Sequence, residues 1–280
     1  MANYTTADIK ALRERTGAGM LDVKKALDEA DGDMDKALEI IRVKGLRGVA
    51  SREGRATADG VVVVDIRAGD GGEVGTMVEV NSETDFVSKN EEFGKFADIV
   101  LAQAVATGAT DVEALLASKT DEGTPLSDVV AEVAARLGER IVVSRIARIS
   151  GEKVTSYLHK TNPDLPPQLG VLVATDAAGA EVARDVGTHI AAYSPKYLTR
   201  DEVPADIVAD ERRIAEEIAR NENKPEQAIP KIVEGRLNGF FKENVLLDQA
   251  YAKDPKQTVA KVFDAVGGKL TGFARFRVGA

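Results

Sequence analysis

Between residues 5 and 43, apolar side chains recur at helical spacing in three successive stretches. Ile9 and Leu12 follow the candidate caps Thr5 and Thr6. Met20, Val23, Leu27 and Ala30 make a second face, and Met34, Ala37, Leu38 and Ile41 a third at i, i+3, i+4 and i+7. Gly17 and Gly32 stand where the first two helices should stop, and Asp33 can cap the third. Residues 44–60, KGLRGVASREGRATADG, show no apolar period and carry Lys44, Arg47, Arg52 and Arg55, which predicts a mobile basic linker. Two β-branched stretches, 61–67 and 73–80, then flank Gly69-Asp70-Gly71-Gly72 as a hairpin. Helical patterns over 92–106, 111–118 and 127–137 follow, the last stopped by Gly138, and strand character returns over 141–149. This half reads as an antiparallel sheet with helices packed on it.

The second half echoes the first. GTMVEV at Gly75 leads into FADIVLAQAVA, and GVLVAT at Gly170 leads into DVGTHIAAYSP, each a glycine-led strand followed by a helix rich in small residues. The first copy carries extra residues in its strand-to-helix connection, 81–90 (NSETDFVSKN), and surface connections on a rigid sheet are where function concentrates. Residues 204–245 interrupt the second copy. Ile207, Ile214 and Ile218 mark one helical stripe and Ile229, Ile232, Val233, Leu237 and Phe240 another, with the turn at 221–225, an antiparallel helical hairpin projecting into solvent. Asp254-Pro255 then predicts a helix start, Gly267-Gly268 its end, and 273–278 a returning strand. The fold class is α+β. The expected division is a three-helix module with basic linker (1–54), a first core subdomain (55–150), a second (151–203 with 251–280) and the inserted hairpin (204–250).

Composition narrows the chemistry. The 280 residues are 44% hydrophobic, 30% charged and 5% aromatic, with 46 acidic against 37 basic side chains and a formal charge of -9. So acidic a chain is a poor general binder of phosphate backbones. The first 43 residues hold seven basic and nine acidic side chains, which weighs against a DNA-reading helix-turn-helix. There is no cysteine, hence no disulfide, thiolate metal site or cysteine nucleophile, and two histidines, His159 and His189, leave little imidazole for metal binding or base catalysis. Without an apolar leader or an apolar run long enough to span a bilayer, a cytoplasmic chain with no membrane contact is expected.

Motifs for chemistry fail on inspection. Asp31, Asp33 and Asp35 alternate like a calcium loop, but Lys36 stands where the turn needs glycine and Arg42 where a bidentate glutamate is needed; helix capping accounts for them. The hairpin glycines do not form G-x-G-x-x-G, because Val74 occupies the third position. GGKLTG at Gly267 lacks both the leading glycine of a phosphate loop, replaced by Phe263, and its hydroxyl, replaced by Leu270. No Gly-x-Ser-x-Gly elbow is present. The informative segment is Thr84-Asp85-Phe86-Val87, a large apolar ring among polar residues inside the extended connection. Either Phe86 and Val87 both plug the core, as most phenylalanines do, or Phe86 is an exposed anchor for a partner's pocket with Asp85 beside it.

At this point the residues resemble a family. LRERTGAGMLDVKKAL from Leu12, ADGV at Ala58, VEVNSETDFVSKN from Val78, HIAA at His189, VEGR at Val233 and TGFARFRVG at Thr271 are similar to bacterial elongation factor Ts, in order along nearly the whole chain. The resemblance implies a ubiquitin-associated-like helical module, a two-part core and a coiled-coil insertion, and activity as guanine-nucleotide exchange factor for elongation factor Tu, met in GDP-bound and nucleotide-free forms. Carried over residue by residue, Arg13, Met20 and Leu21 would touch the GTPase domain. Thr84, Asp85, Phe86 and Val87 match the loop that dislodges magnesium, and Leu137 and Gly138 match a further contact turn. His159 lies near a contact histidine, although the following KTNPDLPPQ departs from the pattern, and His189 with its helix would face the partner's third domain. The chain also stops at Ala280, short of the helical extension of some members. No catalytic residue, metal site or cofactor is expected, nor direct nucleic-acid binding; a homodimer is left open. The competing readings are an enzyme using Asp85, His159 or His189, and a nucleic-acid tether using residues 44–55.

Overall fold

The computed structural model describes residues 3–16 and 18–280, with the backbone alone for Leu46 and Arg47. Gly17, expected to end the first helix, lies outside the described residues. Helices α1 (Thr6–Thr16), α2 (Met20–Glu29) and α3 (Met34–Ala50) bury Leu12, Val23, Ala26, Leu27, Ala30 and Ala37 between them. Thr5 and Asp8 cap α1 reciprocally: the Asp8 N–H donates to Thr5 Oγ1 (3.3 Å) and the Thr5 N–H to Asp8 Oδ2 (2.7 Å). The Asp33 carboxylate accepts the N–H groups of Asp35 and Lys36, each at 3.0 Å, so this aspartate caps α3 as its position predicts. The backbone N–H bonds, that of Lys36 foremost, and the Lys36 charge hold its carboxyl below the usual range.

The expected linker is corrected by the length of α3, which runs on to Ala50. Two glycines weaken intrinsic helicity there, but α3 lies along a core helix, Val49 packs against the core, and that packing overrides propensity.

Strands β1 (Asp59–Gly69) and β2 (Gly72–Ser82) form the expected hairpin about Asp70-Gly71 and are longer than the sequence pattern indicates. The one-turn helix α4 (Asp85–Ser88), then α5 (Glu91–Thr107), α6 (Val112–Ala117) and α7 (Leu126–Leu137), precede β3 (Val142–Gly151), giving an antiparallel sheet β1-β2-β3. Next come β4 (Lys153–His159), β5 (Leu169–Thr175) and α8 (Ala180–Tyr193), followed by the hairpin α9 (Ala205–Asn221) and α10 (Ile229–Asn244). The ribbon β6 (Ala250–Tyr251) with β7 (Asp254–Thr258), then α11 (Val259–Ala265) and β8 (Leu270–Arg277), complete the chain, and β4-β5-β8 form the second antiparallel sheet.

The core has four layers. Val78 and Val80 of β2 face α5 and α7, while Met77 faces the other sheet with Val62, Val154 and Leu172, the alternation a pleated strand imposes. Val171 and Val173 face α8 and α11 on the far side. The two copies of the repeat are therefore the central strands β2 and β5, each leading to a helix. Their leading glycines have a shared cause: a Cβ on Gly75 would stand 2.8 Å from Val154, and one on Gly170 2.5 Å from Val62. Each glycine is where the opposite sheet closes on its strand. The strand-to-helix connections are residues 83–90 and 176–179, and α4 fills the longer one.

Two further expectations are corrected. Asp254-Pro255 does not open a helix: both residues lie in β7, and α11 starts after Thr258, whose hydroxyl accepts the Lys261 N–H at 3.4 Å. In the hairpin, Ala215 and Ala219 are the buried positions of α9 and Ile214 faces outward, because close approach of α10 through Val233 and Leu237 favours small residues.

Candidate functional site

Residues 82–90 leave the sheet at its centre and return into α5. The Thr84 N–H donates to Glu139 Oε2 at 3.0 Å and its hydroxyl to Glu139 Oε1 at 2.5 Å. The Ser82 hydroxyl donates to the Thr84 carbonyl at 3.0 Å, and the Asn90 side chain caps α5 by accepting the Glu92 N–H at 2.8 Å. On the other flank Glu83 accepts the Arg140 N–H at 2.6 Å and an Arg55 guanidinium N–H at 3.1 Å. Those bonds, the backbone one foremost, hold the Glu83 carboxyl below its usual range. The loop is stapled at both ends.

Between the staples, one helical turn sorts the two apolar residues. Val87 points inward and joins the core under β1 and β2, and Ser88 is buried beside it. Phe86 points outward and is 81% exposed, so the idea that both residues plug the core holds for Val87 alone. Asp85 pairs with Lys89 one turn on, Oδ2 to Nζ 2.7 Å, which raises the Lys89 pKa. Nearby Asp59 is held above the usual carboxylate range, first by burial and then by the charges of Asp85 and Glu139.

The structure brings the second candidate element to the first. Leu137 ends α7, Gly138 turns the chain in the left-handed region (φ 75°), and Glu139, the next residue, is the one that grips Thr84. Glu83, Glu139 and Arg140 carry no motif of their own in the sequence, and Arg55 stands out there only as one of the linker's basic residues. The one available signal was the Glu-Arg pair directly after a predicted helix stop. Met20 and Leu21, in the first turn of α2, are 62% and 64% exposed, and Arg13 on α1 is exposed as well. His159 is exposed at the end of β4, its Nδ1 3.2 Å from the Tyr157 hydroxyl; the loop it opens carries Asp164, whose charge also raises the Lys89 pKa.

His189 is a correction: it is 1% exposed and presents nothing to a partner directly. Its Nδ1 accepts the Ala252 N–H at 3.1 Å, so Nε2 carries the proton and donates to Gln249 Oε1 at 2.8 Å. Burial depresses its pKa, and its ring stacks on Tyr193, which is 53% exposed. A histidine on an apolar helix face gave no signal to separate these two roles. Of the basic strip, Lys44 pairs with Glu29 at 2.5 Å and Arg55 with Glu83, so neither is an open cation for nucleic acid. Among the described residues, no group of three or more histidines and carboxylates is placed to hold a metal, and no helix is long and apolar enough to cross a membrane.

The class of protein that the fold defines is a two-sheet α+β core carrying a three-helix module and an inserted helical hairpin, with Met20, Leu21 and Phe86 held outward. A family profile for elongation factor TS matches residues 83–280. The chain is 64% identical to elongation factor Ts of Beutenbergia cavernae, 63% to that of Renibacterium salmoninarum and 56% to that of Kineococcus radiotolerans, in each case over the whole of both chains. The chain belongs to the elongation factor Ts family, the translation elongation factors so named.

Proposed function

We propose that this chain is the guanine-nucleotide exchange factor of elongation factor Tu, binding its GDP complex and its nucleotide-free form in the cytoplasm and speeding GDP release without itself catalysing a chemical step. The observation that carries the reading is the disposition of Phe86: an aromatic ring four-fifths exposed on a loop whose backbone is held by Glu139 at Thr84 and whose Glu83 carboxylate is held by the Arg140 N–H. A ring on slack backbone would fold back; a ring on braced backbone can push.

Exchange works by differential binding. If the factor holds the nucleotide-free partner more tightly than the GDP form by some ratio, it weakens GDP binding by that ratio. Phe86 would enter between helices of the GTPase and shift the elements that hold magnesium, with Thr84 and Val87 fixing the loop and Asp85 redirecting the metal's ligands. Losing a divalent cation strips the phosphates of their main counter-charge, and GDP leaves. Arg13, Met20, Leu21, the Leu137–Gly138 turn and His159 would supply the grip that balances this distortion. His189 contributes from inside, by setting the surface that Tyr193 presents.

The decisive assay is release of fluorescent GDP from purified elongation factor Tu with and without the chain. Acceleration that saturates with the chain's concentration is expected; an unchanged release rate rejects the function. An enzyme would turn over substrate without this partner, and a nucleic-acid tether would show steep salt-dependent binding to nucleic acid.

A further inference from the structure

The three-helix module could hang from the core on a tether, or be seated on it. Several observations favour a seat. Helix α3 lies against α7, and Arg42 of α3 pairs with Glu132 of α7. One turn on, a Cβ at Gly45 would meet the Ala135 Cβ at 2.9 Å, so the absent side chain is what lets the two helices close. Val49 then packs against the core cluster. Beside the seam runs a cleft of about 710 Å³. Its lining includes Gly19, the residue before Met20 and Leu21, on one rim and Gly138, the contact turn, on the other. The two rims are thus the two elements expected to grip the partner, and Glu139, next after Gly138, holds the Phe86 loop through its hydrogen bonds from Thr84.

We infer that Arg42, Gly45, Glu132 and Ala135 are positioning residues: the α3–α7 seam presents Met20, Leu21, the Leu137–Gly138 turn and Phe86 to the partner as one preformed surface. The inference rests on the exchange reading and adds to it that the module does not have to leave its seat. Preorganisation of this kind removes the cost of ordering a tethered module at the moment of binding.

The chain has no cysteine, so Gly45→Cys with Ala135→Cys introduces the only two thiols. A disulfide needs the Cβ atoms about 3.8 Å apart, roughly 1 Å wider than the present approach, within the reach of small helix shifts. The expected results are ready oxidation of the full-length double variant and, once oxidised, GDP release within about twofold of the unsubstituted chain. Gly45→Leu wedges the seam open. It should raise the concentration needed for half-maximal exchange about tenfold while the saturated rate stays, because the loss is of preorganisation and not of the wedge. Arg42→Glu and Glu132→Arg should each weaken apparent affinity about twofold, as an exposed ion pair allows, and together restore it.

Failure of the disulfide to form, or exchange lost on oxidation and recovered on reduction, would overturn the seam, as would Gly45→Leu with unaltered concentration dependence. The unsubstituted chain, run in parallel, separates the two levels: if it speeds no release, exchange itself is wrong and this inference falls with it.

Discussion

Replacing Phe86 by alanine isolates the proposed wedge, because the ring holds almost nothing inside its own fold. With 81% of the residue exposed, its removal should alter the chain's stability by no more than about 0.5 kcal/mol. A phenylalanine side chain offers about 200 Å² of area, so about 160 Å² stands ready to be covered by a partner, worth about 4 kcal/mol at 25 cal/mol per Å². Part of that is offset by ordering and imperfect desolvation in the complex, leaving about 2–3 kcal/mol, an ordinary value for an aromatic anchor. If this energy is realised only as the nucleotide site distorts, the saturated GDP release rate falls roughly 30- to 150-fold in the alanine variant. Stopped-flow release of fluorescent GDP over a range of factor concentrations measures it, with a thermal melt as control. A saturated rate equal to that of the unsubstituted chain, with only the half-saturating concentration displaced, would show the ring to be a handhold and refute the wedge.

The Glu139→Ala variant leaves the Thr84 N–H and hydroxyl without their acceptor; charge-assisted bonds of this type contribute about 1.5 kcal/mol each, so exchange should slow several-fold and the melting temperature fall about 2–6 °C, while an unchanged exchange rate would mean the loop needs no staple. Deleting residues 1–54 removes the exposed side chains of Met20 and Leu21, worth about 1 kcal/mol each, and should weaken the complex roughly 30-fold with the core still folded; a truncated chain of full affinity would remove the module from the mechanism. His189 is held neutral by burial with its folded pKa below 6.5, so the unfolded chain binds the extra proton and stability falls as pH drops below about 6.5. Melting curves from pH 8 to pH 5 should show that loss, and a His189→Gln variant with the same slope would assign it elsewhere.

Periodicity made most of the architecture legible, and its failures share one cause. The strand-then-helix repeat was visible at Gly75 and Gly170, but the reason for both glycines, the close approach of the opposite sheet, is a long-range fact that local sequence does not hold. The α3 extension was misjudged because glycines at 45 and 48 and four basic residues look like tether, whereas packing against α7 decides the outcome. Asp254-Pro255 matches a helix start locally, yet pairing of 250 with 258 claims the segment as ribbon. In α9 the isoleucines drew the stripe, and the buried positions proved to be alanines that permit a tight crossing. At the site, the motif marked Phe86 and Val87 as a pair; only the turn of α4 separates one that fills the core from one that leaves it.

That separation also explains why the braces sit where they do. An exposed aromatic ring gains by collapsing onto its own surface, and a flexible loop of nine residues would let it. Val87 and Ser88 pin the inner side of α4 by burial, Glu139 fixes the backbone before the ring, and Asn90 fixes it after. With the ends held and the inner side filled, outward is the direction left to Phe86. The residue that holds the front of the loop is one position beyond Gly138, so a force on the ring is passed directly to the α7 turn, which lies beside the seat of the three-helix module. On the proposed mechanism, a partner that pulled on Met20 and Leu21 while resisting Phe86 would strain a single connected support, and the strain would be relieved most cheaply in whichever of the two molecules is softer at the contact. The core behind α4 is filled by buried side chains, Val78, Val80, Val87 and Phe93 among them, so the proposed exchange requires the partner's nucleotide site to be the side that yields.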